Sequence, residues 1–222
     1  MVKLLNRYKA RHGDASVFGI SRVGVLTVLA CIVGVILLVL LPALNRARDM
    51  ARLTACESNL KLIGIASRTW ENNYNDLYPM GYYTNADGSA KYADGSNVFR
   101  YFQVMSNAMS NEWYTPRVLT CPSDVRHPAA DFAHLKNDNV SYFVGLDADE
   151  TVPAMLLAGD RNLVTNGVDV VPGLVIIGTN IAAEWSSQMH NGVGNVVMAD
   201  GSVSVQKSLA NTGTNVTRLA VP

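Results

Sequence analysis

Residues 23–41 read VGVLTVLACIVGVILLVLL, nineteen positions without a charge and with Thr27 as the one hydroxyl. At about 1.5 Å of rise per residue, a helix of this length spans roughly 28 Å, close to the hydrocarbon thickness of a bilayer. At that depth a single segment satisfies its own backbone groups only as a helix. A surface helix of a soluble domain carries a polar stripe, and this run has none. A cleaved secretory signal has a shorter apolar core followed by small residues. Here Pro42-Ala43-Leu44-Asn45-Arg46-Ala47-Arg48 follows, which reads as a helix continuing into water. The expectation is a retained transmembrane helix over 23–41.

The flanks orient it. Residues 1–22 hold Lys3, Arg7, Lys9, Arg11 and Arg22 against one acid, Asp14, although the whole chain has a formal net charge of zero. A basic tail on one side of a membrane helix favours the cytoplasm. The sequence therefore predicts an inner-membrane, single-pass protein with a cytoplasmic N-terminus and a periplasmic or otherwise extracytoplasmic head. Residues 81–222 hold eight Lys/Arg and thirteen Asp/Glu, and an acidic head excludes nucleic acid as its partner, because phosphates require a basic face. The partner expected first is the lipid bilayer.

Beyond the membrane run, Leu53, Cys56, Leu60, Ile63, Ser67, Trp70, Tyr74 and Leu77 recur in steps of three and four. That spacing marks one face of an amphipathic helix. Arg52, Glu57, Lys61, Arg68 and Glu71 are expected on the other face, and Asn72–Asn75 ahead of Pro79 marks its end. Leu53, Leu60, Ile63 and Trp70 are the expected packing residues of this stem.

After Pro79 the pattern changes. Residues 84–97 are rich in turn formers. Phe99–Met105 suits a short strand or helix, and Val118–Thr120 leads into a turn at Cys121-Pro122-Ser123-Asp124. Val140–Val144, Ala154–Leu157 and Leu174–Ile177 read as strands. Asn195–Ala199 and Ser202–Gln206 alternate about Asp200-Gly201, which predicts a hairpin with a two-residue type I′ turn. The fold class expected is α+β. Its parts are a basic cytoplasmic tail (1–22), a transmembrane helix (23–41), an amphipathic stem helix (42–75) and a β-rich α+β head (76–222).

Of three cysteines, Cys31 lies in the membrane run. Cys56 and Cys121 remain, and an oxidising compartment permits a disulfide between them; the alternative is two separate buried thiols. Their spacing matches no metal motif.

Several stretches resemble one bacterial family. Leu40–Arg48 looks like the end of a prepilin-type N-terminal segment. Cys56-Glu57-Ser58-Asn59-Leu60-Lys61-Leu62-Ile63-Gly64 resembles the C-x-x-N-L-x-x-I-G stretch of pseudopilin-like proteins. Tyr74-Asn75-Asp76 with Pro79, Cys121–Asp124, Ser141-Tyr142 and Gly159-Asp160-Arg161-Asn162 match later features. His190, nine residues, then Asp200-Gly201 is the motif of the prepilin-type processing-associated family. The resemblance implies a pilin-like fold, with a long N-terminal helix packed against an antiparallel β-rich head. It further implies a structural subunit of a type II secretion or type IV pilus-like assembly, meeting other pilin-like subunits through the stem. Gly19 is the glycine at which a prepilin peptidase would cut. The chain departs from the family at Val25, near where prepilins carry a Glu. Losing that acid favours the alternative, a membrane-tethered extracytoplasmic binding module that does not polymerise.

His190 near an acid suits three roles: structural hydrogen bonding, metal or ligand binding, or catalysis with Ser186 or Ser187. The expectation is the first, so no catalytic residue, no resident metal and no enzymatic activity are assigned. Ala-Asp-Gly-Ser occurs at 86–89, 93–96 and 199–202. Such acidic turns can hold Ca²⁺, but calcium needs six or more oxygens, so solvated turns are expected, as they are for Asp147, Asp149 and Glu150.

Overall fold

The computed structural model describes residues 22–82, 97–108, 115–178, 181, 183–209 and 216–222. Gly19, most of the basic tail, the turn-rich stretch before Asn97 and its two Ala-Asp-Gly-Ser copies lie outside the described residues. The chain falls into two compact units divided between Ala47 and Arg48. Helix α1, Arg22–Asn73, has 52 residues and contains Pro42.

In the first unit α1 is apolar on every side. Its best 18-residue window has a mean hydropathy of 3.1 with none of it buried, long and apolar enough to cross a membrane. The hydroxyl of Thr27 donates to the carbonyl oxygen of Gly24 at 2.9 Å, so the run's one polar side chain is satisfied within the helix.

In the second unit the helix is one-sided. Cys56, Leu60, Ile63, Ser67 and Trp70 are buried, as their spacing predicts. Leu53 is only half-buried. Leu77 lies beyond the helix end and is 44% exposed. Backbone N–H groups of Tyr74 and Asp76 donate to the Glu71 carbonyl, and Asn75 and Asp76 take φ of 57°, closing the helix where the Asn-rich sequence predicts. Glu71 departs from expectation. It is expected on the polar face, yet it is 1% exposed, because it follows buried Gly64 and Ser67 by seven and four residues and so lies at the edge of the covered stripe.

Two short helices, α2 (Pro79–Tyr82) and α3 (Val98–Ala108), follow. The segment around Phe99–Met105 is thus a helix, and Val118–Thr120 belongs to a 3₁₀ turn over Pro116–Leu119. The strands are β1 (Tyr142–Gly145), β2 (Leu156–Asp160), β3 (Leu163–Thr165), β4 (Val168–Asp169) and β5 (Gly173–Gly178). After β6 (Ala183–Trp185) comes helix α4 (Ser187–His190), then β7 (Gly194–Met198), β8 (Val203–Gln206), β9 (Ser208–Leu209) and β10 (Val216–Val221). One antiparallel sheet has the order β5-β10-β1-β2-β7-β8, and a smaller one has the order β4-β3-β6-β9. The fold is α+β.

Residue alternation divides the core. Tyr142 and Val144 of β1 and Val197 of β7 join Cys56, Leu60, Ile63 and Trp70 of α1 with Phe102 and Met105 of α3. Phe143 and Val196 face the other way, onto Leu163, Ala183, Trp185 and Leu209 of the small sheet. The large sheet is therefore covered on both faces, and its central strands are buried at every position.

The β7–β8 hairpin docks on α1. Lys61 Nζ donates to the Gly201 carbonyl at 2.7 Å, and Arg68 donates to that of Ala199 at 3.2 Å. The Tyr78 hydroxyl donates to the same Ala199 oxygen at 2.6 Å. The turn differs from the expected type I′. Gly201 has φ of 77° while Asp200 does not enter the left-handed region, and Met198 exchanges bonds with both Gly201 and Ser202. The loop is thus three residues long with glycine in the left-handed position, which frees the Ala199 carbonyl to meet the helix.

At Gly64 the helix lies close against the β7–β8 hairpin. A Cβ there would lie 2.8 Å from Val197 Cγ2 and 3.5 Å from Gly201 Cα. Gly64→Val is expected to destabilise the head by about 1–3 kcal/mol, read as a lower urea midpoint by near-UV circular dichroism. Leu62→Ala on the exposed side should change it by less than about 0.5 kcal/mol. Equal midpoints for the two variants would contradict this packing.

Candidate functional site

The chemistry-bearing side chains gather where α1, the turn after Leu119, the end of β2 and helix α4 meet. Cys56 of α1 and Cys121 form a disulfide with Cα atoms 5.1 Å apart, across 65 residues of sequence. Cys121 is presented by a tight turn: the 3₁₀ segment is capped by the Thr115 side chain, and Asp124 N–H donates to the Cys121 carbonyl at 2.9 Å. Both cysteines are fully buried.

His190 ends α4. Ser186 caps the start of that helix, and Asn191 leaves it at φ of 54°. This places His190 Nε2 3.2 Å from Cys121 Sγ and 3.6 Å from Asp160 Oδ2. Asp160 is wholly buried. Its Oδ2 accepts from the backbone N–H of Asn195 at 2.7 Å and from Asn195 Nδ2 at 3.0 Å, while Oδ1 has no donor.

The neighbours of Asp160 in sequence reach in other directions. Arg161 donates two hydrogen bonds of 2.8 Å to the Asp124 carboxylate. Asn162 donates to the carbonyl of Ser186 at 2.9 Å. Three consecutive residues therefore tie β2 to β7, to the cysteine-bearing turn and to the start of α4.

The electrostatics separate the two acids. Burial pushes the Asp160 carboxyl up to about 7, against the two hydrogen bonds from Asn195 that pull it down. Burial holds the His190 imidazole below its ordinary value. Both shifts favour an uncharged pair, and 3.6 Å is too long for a hydrogen bond. For Asp124 burial also opposes ionisation, but the hydrogen bonds and charge of Arg161, with the charge of Arg126, outweigh it and hold the carboxyl low.

Of the motif residues, His190 belongs to this centre, whereas Asp200 and Gly201 belong to the hairpin docked on α1. Asp200 Oδ1 accepts from Ser202 N–H at 2.8 Å, which accounts for it as a turn residue. The acid beside His190 is Asp160. Ser186 accepts from Gln188 N–H and from Asn162, and it caps a helix. Asp147 is paired with Arg218, and Asp149 accepts from Thr151. Asp160, Asn195 and Asn162 were not singled out by sequence reasoning as site residues. One signal was available: an acid closing the apolar strand Leu156–Asp160, buried at all five positions.

Replacing Cys56 by Ser is expected to lower stability by about 2–4 kcal/mol, and an unchanged urea midpoint would deny the bridge its role. The raised Asp160 value has a sign that can be tested. Between 3.8 and about 7 the folded chain keeps a proton that the unfolded chain loses. Asp160 therefore makes stability fall as pH rises through that window and level off above it. His190, held low, acts in the opposite sense near its own titration. Urea midpoints from pH 5 to 8 should thus fall in the wild type relative to Asp160→Asn. A constant difference between the two would refute the assignment.

No protein-family model, curated protein or solved structure matches the chain.

Proposed function

We propose that the chain is a membrane-anchored, pilin-like structural subunit of a type II secretion or type IV pilus-like assembly. In this reading α1 spans the inner membrane and packs against the same helix of other subunits, and the α+β head is displayed outside. The observation that carries it is the bare apolar surface of α1. Leu62 and Ile65, on the side of α1 away from the sheet, are 42% and 46% exposed, Met50 on its flank is 69% exposed, and the large side chains of the run from Val23 to Leu41 are exposed throughout. Contiguous exposed apolar surface marks an interaction site with lipid or protein. Ala30 and Gly34, four residues apart, would let helices approach closely in lipid.

The role is structural rather than catalytic. His190 sits against a disulfide, and Ser186 is engaged as a helix cap, so no activated nucleophile is assembled there. One observation favours a second reading, a tethered binding module that stays monomeric. The membrane run has Val25 where prepilins carry an acid, so it lacks the buried charge that would pair with a neighbouring subunit.

Cysteines introduced together at Met50 and Leu62, with Cys31 replaced by Ser, distinguish the two. Oxidation in native membranes should give ladders of multimers if the stems assemble. Monomers alone would reject assembly and leave the tether. Release of the chain from membranes by an alkaline carbonate wash would reject both.

A further inference from the structure

The disulfide and His190 bring three metal-ligating atoms together. Cys56 Sγ, Cys121 Sγ and His190 Nε2 all lie within 4.8 Å of one another, and all three residues are buried. We propose that this centre has a second state, in which reduced Cys56 and Cys121, with His190 Nε2 as third ligand, bind one Zn²⁺-class divalent cation.

The geometry is close to what a tetrahedral ion requires. Zn–S bonds of about 2.3 Å and Zn–N bonds of about 2.0–2.1 Å put ligand atoms roughly 3.5–3.8 Å apart. Nε2 is already 3.2 Å from Cys121 Sγ. The two sulfurs must separate, and cleavage of their bond removes the restraint that holds them together. With Cα atoms 5.1 Å apart, rotation about the side-chain bonds supplies that movement. Charge also balances, since two thiolates and a neutral imidazole cancel the 2+ ion and leave no net charge in a buried site. Asp160 lies beside His190. Its Oδ2 is 3.6 Å from Nε2, and its Oδ1 is buried without a donor. The nearest guanidinium, that of Arg161, is engaged by Asp124 and does not compete.

A cleft of about 170 Å³ beside the centre is walled by Asp49, Met50, Leu53, Met189, His190 and Asn191 and carries an acid in its wall. The conversion balances with a dithiol or phosphine as reductant. A dithiol gives two electrons and two protons and becomes a disulfide, whereas a phosphine gives two electrons, takes its oxygen from a water whose two protons go to the thiols, and becomes a phosphine oxide; the metal then displaces the two thiol protons. A small-molecule disulfide as oxidant takes two electrons from the thiolates and two protons from solvent to become two thiols, which closes the bridge and releases the ion. The same three side chains therefore hold either a covalent clasp or a metal.

The test uses the full chain in detergent with Cys31→Ser, reduced anaerobically with a phosphine and titrated with Zn²⁺ or Co²⁺. One equivalent should bind. The cobalt form should show thiolate-to-metal charge-transfer bands with tetrahedral d–d bands, and Zn²⁺ should protect both thiols from alkylation as read by intact mass. His190→Ala should weaken binding by about 100-fold or more, and Asp160→Asn by about 10-fold. Absence of binding would overturn the proposal. So would binding that His190→Ala leaves unchanged, since that signals thiols of an unfolded chain. A near-UV dichroism signal lost on reduction and not restored by Zn²⁺ overturns it too, because the site needs the fold.

Discussion

One helix carries two different surfaces, and the rest of the protein answers to that. Up to Leu41, α1 is apolar all round and needs no protein partner, only a medium as apolar as itself. Beyond Arg48 it is apolar on a single stripe, which water will not tolerate bare. The large sheet covers that stripe, and at Gly64 an added Cβ would run into the Val197 side chain. Lys61 and Arg68, spaced as surface charges, instead reach around to the hairpin carbonyls. Their heads hydrogen-bond there, so residues of the helix flank complete the docking.

The buried polar centre does a different job from the apolar core. Apolar contacts are tolerant of register, but a buried carboxyl or amide must find particular partners. Asp160, Arg161 and Asn162 fan out from the end of β2 to three separate segments, and each contact is directional. A shift of β2 by one residue would bury the guanidinium where the carboxyl now sits. The centre therefore specifies how the segments meet, at the cost of a carboxyl held uncharged in an apolar setting.

Much of this was legible because it rests on local periodicity. Steps of three and four identified Cys56, Leu60, Ile63 and Trp70 as one face, and a long unbroken apolar run identified the membrane-length helix. Alternation about Asp200-Gly201 found the β7–β8 hairpin. What failed depended on distant partners. The turn type is set by Ala199 docking on α1, which no local rule contains. Val216–Val221 is a mixed polar and apolar run that becomes a central strand only because β1 and β5 flank it. His190 was singled out together with Asp200, but Asp200 is a turn residue. Its spatial neighbour Asp160 lies thirty residues upstream, in a stretch noticed only for its likeness to related sequences.

The Cys56–Cys121 bond spans 65 residues, and it joins the helix that carries the membrane run to a point upstream of every strand. Everything between the two cysteines is thus a covalent ring hung on the side of a continuous tether. A protease that cuts anywhere within that ring opens it without severing the line from anchor to sheet. The head then stays leashed to its helix through sulfur alone, and detaching it takes a second event of a different chemical kind.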